Sequence, residues 1–184
     1  MNRRFKLLSL TALVALMTVA LVAAAKLESI GNPDVQFRAV GPAGLKIDGR
    51  SSQLSASGKD GKLTVVAPLT NLKTGISLRD RHLRHYLGTE KYPNATLTVE
   101  RSKLKMPADK QTVQSSAVGR FTLHGVTKPV TVRYRAKRTG SDYHVQGLTE
   151  IDIRDFGIEV PCYLGVCVHP DVKIKVKFKL REMQ

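Results

Sequence analysis

The sequence predicts an all-β protein whose antiparallel strands form a closed barrel or a sandwich. The strongest observation is that residues 172–180 alternate strictly between apolar side chains and lysine, as a strand with one dry and one wet face does. Similar alternation recurs along the chain, and Gly, Pro, Asn and Asp separate the alternating stretches. One-sided strands with short connections favour antiparallel over parallel pairing.

The alternating stretches correspond to about eight strands, enough for a barrel or a sandwich in one domain of residues 26–184. In each stretch every second residue, counted from the first, is mostly apolar or small, so these residues share one face. In chain order the stretches are Val35–Ala39, Leu45–Ile47, Leu63–Ala67, Leu97–Val99, Ala117–Leu123, Val130–Ala136, Val145–Ile153 and Val172–Leu180.

One short helix is predicted between Ser77 and Leu87. Leu83 and Leu87 are four residues apart, which places them on one helical face. Gly88 stands where a helix C-terminus ends, and Pro93 then favours extended backbone before the next strand.

Residues 1–25 have the pattern of a secretory signal peptide. Arg3, Arg4 and Lys6 precede an uncharged stretch that ends in three consecutive alanines. We therefore expect cleavage near Ala25 and a periplasmic or secreted domain of residues 26–184. Because the uncharged stretch is about as long as a membrane span, an uncleaved anchor is the alternative.

The chain is strongly basic. Cleavage would remove 3 of its 30 basic side chains and none of its 15 acidic ones, so the formal charge would fall from +15 to +12. Such a charge can attract nucleic acid, anionic lipid headgroups or acidic polysaccharide. Export makes nucleic acid the least natural partner, and we predict none. The charges are dispersed over strands, which is also typical of a solvated surface.

Cys162 and Cys167 are the only cysteines in the sequence. In an exported chain, two nearby cysteines most often form a disulfide, and we predict one here. The alternatives are a metal site that includes His169 and a labile redox pair. The first lacks an obvious fourth ligand, and the second lacks an activating base, so no metal site is predicted.

Three blocks of the sequence, in the right order, resemble the signatures of the YceI-like family. They are Thr74-Gly75 with 79–83, then 121–130, then Asp155-Phe156-Gly157-Ile158 with 164–166 and 171–174. The resemblance implies an eight-stranded, lipocalin-like antiparallel barrel with one short helix, exported from the cytoplasm. It also implies a long apolar tunnel that takes polyisoprenoid chains, isoprenoid quinones or related lipids.

Strand parity and this resemblance together predict the residues of a lipid site. Several inward positions are small, among them Ala117, Gly119 and Ala136, which favours a cavity over a filled interior. The predicted tunnel-wall residues are Phe37, Val65, Leu97, Val99, Phe121, Leu123, Val132, Tyr134, Ile151, Ile153, Phe156, Ile174, Val176 and Phe178. The predicted headgroup or lid residues are Arg79, Asp80, His82 and Arg84, with Asp80 expected to pair with nearby arginines.

We therefore expect a binding protein that holds an isoprenoid-type lipid, as a carrier or a buffer, without any other cofactor. No nucleophile lies at a recognisable spacing from a base, so the sequence does not predict an enzyme. The alternative is a basic structural module with a filled core that docks to an anionic envelope surface. A homodimer stays an open possibility.

Overall fold

A computed structural model describes residues 26–163 and 165–183, so the predicted signal peptide lies outside the described residues. The described chain forms eleven strands and one α-helix. The helix is α1 (Ser77–Tyr86). The strands are β1 (Lys26–Val40), β2 (Lys46–Ser51), β3 (Ser55–Lys59), β4 (Lys62–Pro68), β5 (Asn94–Glu100), β6 (Thr112–Leu123), β7 (Val126–Thr139), β8 (Asp142–Asp152), β9 (Cys162–Tyr163), β10 (Val166–Cys167) and β11 (Asp171–Met183).

Nine strands form one antiparallel sheet in the order β11-β8-β7-β6-β5-β4-β3-β1-β2, and pairing of β1 with β11 closes it. β2 pairs with the second half of β1, whereas β3 pairs with Leu27 and Glu28 near its beginning. β2 and β3 therefore follow one another along the same edge of β1 and together occupy one strand position in the barrel. The barrel has eight such positions, which confirms the predicted eight-stranded closed barrel with one short helix.

Alternation along β11 follows the prediction. Phe178 and Leu180 are buried, Val172, Ile174 and Val176 are half-buried, and the intervening lysines are exposed. The interior of the barrel therefore receives one apolar side chain every second residue from this strand, as a pleated strand dictates.

The turn between β6 and β7 lies in the gap between the predicted stretches Ala117–Leu123 and Val130–Ala136, and it is shorter than this gap because β7 begins at Val126. His124 and Gly125 form a two-residue connection with φ of 50° and 76°. Positive φ at both positions is the requirement of the tight hairpin turn whose twist matches that of the strands.

Leu45 departs from the predicted pattern. It is 59% exposed and precedes β2, because the chain makes a single 3-10 turn at Pro42–Gly44 before the strand begins. The Leu45 amide donates to the Pro42 carbonyl oxygen, which fixes this turn. Only Ile47 of the predicted pair lies in a strand and faces the interior.

The two ends of the barrel differ. Connections 41–45, 69–93, 124–125 and 153–170 lie at one end, which we call the helix end. Connections 60–61, 101–111 and 140–141 lie at the other, which we call the hairpin end.

Each end has its own buried apolar cluster. The cluster near the helix end includes Leu72 and Phe156, and the cluster near the hairpin end includes Leu27 and Leu180. Within the described ranges, no helix has the length and apolar character that crossing a bilayer requires.

Candidate functional site

The barrel encloses a cavity of about 780 Å³. Its lining comes from the inward positions of β1, β2, β4 to β8 and β11, and from connections at both ends, most of them at the helix end. This volume lies within the range of about 300–1,000 Å³ that is common for small-molecule sites. The strand alternation that predicts the barrel therefore also builds an apolar interior that the protein's own side chains do not fill.

The structure places most of the predicted wall residues on this cavity. They come from seven strands and the turn after β8, and each directs an apolar or aromatic side chain inward. The residues that line it are Phe37, Val65, Leu97, Val99, Phe121, Leu123, Val132, Tyr134, Ile151, Ile153, Ile174, Val176 and Phe178. Their contact with a ligand stays a prediction.

Phe156 does not line the cavity. It is 1% exposed and packs edge-to-face against Phe121, with 5.6 Å between the ring centroids. The reason is local: β8 ends at Asp152 and the chain makes a 3-10 turn at Ile153–Phe156, so strand alternation no longer sets the direction of this side chain. Phe156 instead supports the wall residue Phe121.

Small residues on the inward face have two different roles. Ala117 and Ala136 line the cavity and leave space in it. The two glycines make room for neighbouring side chains instead. A Cβ atom at Gly119 would lie 2.8 Å from a methyl carbon of Leu97, and one at Gly147 would lie 3.0 Å from a methyl carbon of Val176.

Sequence reasoning missed several lining residues. Leu27 lines the cavity from the first part of β1, and its alternation with Lys26 and Glu28 could have revealed it. Leu72 and Ile158 also line it, but they lie in irregular connections where no periodic signal exists.

A further missed feature is the close approach of Phe37 to Gly49. A Cβ atom at Gly49 would lie 2.0 Å from Cε1 of Phe37. The two residues are directly paired between β1 and β2, so the aromatic ring occupies the space that the glycine leaves.

The predicted headgroup residues separate into two pairs. Arg79 and His82 line the cavity where it meets α1, whereas Asp80 and Arg84 do not. Successive residues on a helix point about 100° apart, so four neighbouring positions cannot all face one cavity.

Arg79 places a cationic group beside the apolar cavity. Its Nη2 donates to the carbonyl oxygen of Thr74 over 2.8 Å, while its Nε is buried without a hydrogen-bond partner in the described structure. Among the described residues, no carboxylate lies within ion-pair distance of it. Arg79 can therefore accommodate an additional hydrogen-bond acceptor or anion at the helix end of the cavity.

Among the described residues Asp80 has no arginine within ion-pair distance, contrary to the expectation from sequence. It is 6% exposed and accepts hydrogen bonds from both the backbone amide and the hydroxyl of Thr74, each at 2.6 Å. These two bonds lower the pKa of Asp80 below the ordinary carboxyl value, although burial raises it. Asp80 thus fixes the segment before α1 in place, which is a structural role for a lid residue.

The predicted disulfide between Cys162 and Cys167 is confirmed, with Cα atoms 4.0 Å apart. The two residues pair directly across the β9–β10 hairpin. Cys162, Val166 and His169 line the cavity at the helix end. Because the sulfur atoms are bonded to each other, they are not available as thiolate ligands, and no cluster of potential metal ligands occurs in the described part of the chain.

Comparisons with known proteins agree with this geometry. A UPF0312 protein of Shewanella denitrificans is 34% identical over 123 residues, and one of Vibrio parahaemolyticus is 29% identical over 126. These alignments cover 62% and 64% of this chain, respectively. The chain spans 62% of the length of each of these two relatives.

Two solved structures have the same fold. A polyisoprenoid-binding domain from Saccharophagus degradans superposes with a TM-score of 0.73 at 18% identity, over 87% of this chain and 100% of that one. BcnA of Burkholderia cenocepacia superposes with a TM-score of 0.65 at 17% identity, over 80% and 95%.

The family model of the YceI-like domain matches residues 32–180. This match includes every strand that forms the closed barrel, apart from the first residues of β1 and the last residues of β11. The chain therefore belongs to the YceI-like domain family.

Proposed function

We propose that this protein binds a long apolar lipid of the isoprenoid class inside its barrel, as a carrier or a buffer outside the cytoplasm. The observation that carries the proposal is the cavity of about 780 Å³, whose wall is built almost entirely from aliphatic and aromatic side chains. The name of the Saccharophagus degradans relative, a polyisoprenoid-binding domain, supports the same ligand class.

Transfer of hydrocarbon out of water is sufficient to drive this binding. Each CH2 group that enters the cavity contributes about 0.8 kcal/mol, and no chemical step is needed. The tail of the ligand would lie between the inward faces of β6 and β11. Its polar end would lie near Arg79 and His82, where a guanidinium with no carboxylate partner in the described structure can meet a phosphate or carbonyl oxygen.

The cavity weighs against the alternative of a structural module with a filled core. One observation still favours that alternative: the exterior is positively charged, which suits an anionic envelope surface. Binding through exterior charge alone would weaken steeply as the salt concentration rises, whereas lipid held in the cavity would stay bound.

The decisive experiment is organic extraction of the purified protein followed by mass spectrometry. The protein should be produced in a bacterium that exports it, beside an exported protein of similar charge that lacks a cavity. We expect an apolar lipid to co-purify with this chain at close to one molecule per barrel and not with the other protein. Equal traces of lipid in both preparations would contradict the proposal.

A matched pair of variants tests whether the lipid lies inside the barrel. Ala117 is buried on the cavity wall, and its neighbour Val118 is 51% exposed on the outer face of the same strand. We expect Ala117→Phe to lose most of the bound lipid and Val118→Phe to retain it, with circular dichroism to verify that both are folded. Equal lipid content in the two folded variants would place the lipid outside the cavity.

A further inference from the structure

The helix end carries most of the exposed large apolar side chains. Of the seven that the described residues contain, four lie there: Leu45, Ile76, Leu78 and Val166, with exposed fractions of 59%, 53%, 56% and 51%. A single exposed apolar side chain is ordinary on a protein surface. Four at one end of a barrel form a feature that burial within the monomer does not explain.

These four side chains belong to three segments: the β1–β2 turn and two segments that are hydrogen-bonded to the strands on either side of it. Two hydrogen bonds between Arg50 and Lys73, of 2.8 and 2.9 Å, join the segment before α1 to β2. The amide of His169 donates to the carbonyl oxygen of Val40 over 2.7 Å, which joins the segment after the disulfide hairpin to β1. The β1–β2 turn itself carries Leu45.

The cavity reaches the surface between the same three segments. In the described part of the chain, seven residues both line the cavity and are exposed, and six of them lie at the helix end. Those six are Pro42, His82, His85, Cys162, Val166 and His169. At the hairpin end the single residue of this kind is Met106, which is 38% exposed.

Positive charge accompanies the apolar side chains. Lys46, Arg50, Lys73 and Arg81 are exposed on the β1–β2 turn side and have no ion pair among the described residues. Nearby acidic groups are already engaged, since Asp48 pairs with Arg38 at 2.6 Å. The exposed acids of the helix-end connections in the described chain are Glu90, which follows α1, and Asp155 and Glu159, which lie in the segment that leads to the disulfide hairpin.

We propose that the helix end docks on a bilayer that contains anionic lipid. In this orientation Ile76, Leu78 and their apolar neighbours enter the interfacial region, and the exposed cations lie against the headgroups. The cavity then faces the bilayer, so an apolar ligand can pass between the two with little exposure to water. Passage of a ligand rests on the function proposed above, whereas docking rests on the exposed side chains alone.

The test is flotation of the full chain with vesicles of equal parts phosphatidylcholine and phosphatidylglycerol. Ile76→Ser/Leu78→Ser removes two apolar side chains at the helix end, and serine is favourable at Ile76 because this residue caps α1. The control Val118→Ser/Met183→Ser removes two exposed apolar side chains elsewhere. Because residues 1–25 are identical in all proteins compared, their effect on vesicle binding cancels.

We expect the helix-end variant to bind these vesicles about tenfold more weakly or worse, and the control to bind like the original chain. Pure phosphatidylcholine vesicles should bind more weakly than the anionic ones. Equal binding by the two variants would overturn the proposal. So would loss of binding in Lys175→Glu/Lys177→Glu alone, because the barrel wall would then be the docking face.

Lipid extraction from the same preparations separates this inference from the proposed function. Retained lipid together with vesicle binding that is insensitive to the helix-end changes would overturn docking and leave the function intact. Absence of lipid in every preparation, with the expected difference in vesicle binding, would support docking and contradict the function. Leu45→Ser/Val166→Ser provides a second variant, should the first fail to fold.

Discussion

The two ends of the barrel differ in how completely their apolar side chains are buried. At the hairpin end, Leu27 and Leu180 are only 1% and 2% exposed, and the guanidinium of Arg138 lies 5.1 Å from the centre of the Tyr143 ring. At the helix end, long connections leave apolar side chains exposed, and in the described part of the chain the buried Nε of Arg79 has no hydrogen-bond partner. One closed sheet thus combines a tightly packed end, which supports the fold, with a looser end, which gives access to the cavity.

The largest expected effect tests the tightly packed end. We expect Leu180→Ala to lower the free energy of unfolding by about 2–5 kcal/mol, because it removes a fully buried side chain from the apolar cluster of the hairpin end. Leu78→Ala at the helix end should change it by less than about 0.5 kcal/mol, since that side chain is 56% exposed. Urea unfolding curves of both variants measure the difference, and similar losses would abolish the contrast between the ends.

An intermediate effect concerns the disulfide at the helix end. Replacing Cys162 and Cys167 by serine should lower the free energy of unfolding by about 2 kcal/mol, because the bridge closes a short loop in the unfolded chain. Thermal unfolding with and without a reducing agent provides the measurement. The reducing agent should have no effect on the double variant, and an unchanged melting temperature in the original chain would contradict the prediction.

The smallest expected effect is local and depends on pH. Because the folded state lowers the pKa of Asp80, its stabilising contribution is complete above the unfolded carboxyl value of about 3.9 and is lost as the pH falls through the lower folded value. We expect acid to lower the protection of the amides of residues 74–86, measured against the intrinsic exchange rate at each pH, before it lowers that of β11. Comparison with Asp80→Asn at each pH isolates this carboxylate. An identical acid response in the variant would assign the effect to other groups.

The strands that could be predicted from the sequence are those in which apolar and polar residues alternate regularly. The inward positions of β11 could be predicted because every second residue from Val172 to Leu180 is apolar and the others are lysine. β3 has the sequence Ser-Ala-Ser-Gly-Lys, in which Ala56 is the only apolar side chain larger than hydrogen, so a hydrophobic pattern could not indicate it. Small residues on an inward face carry little hydrophobic signal although they pair as well as any others.

The helix end could be predicted less well, because its side chains follow the path of irregular connections. Phe156 closely follows the inward residues Ile151 and Ile153 in sequence, but a 3-10 turn directs it behind the wall. The proximity of Asp80 to several arginines suggested ion pairs, whereas the structure gives both of its short hydrogen bonds to Thr74. In both cases the folded chain gives the residue a different neighbour from the one that its position in the sequence indicates.

The pairing of β1 with β11 has a consequence for how this chain reaches its native state. The two strands come from opposite ends of the described chain, and they share the most extensive ladder that β1 forms. Until β11 is available, β1 and β8 both present free edges to which other chains can add. Closure of the barrel therefore requires a long-range pairing and comes late in folding. Before closure, the free strand edges expose the chain to aggregation or to binding by a chaperone.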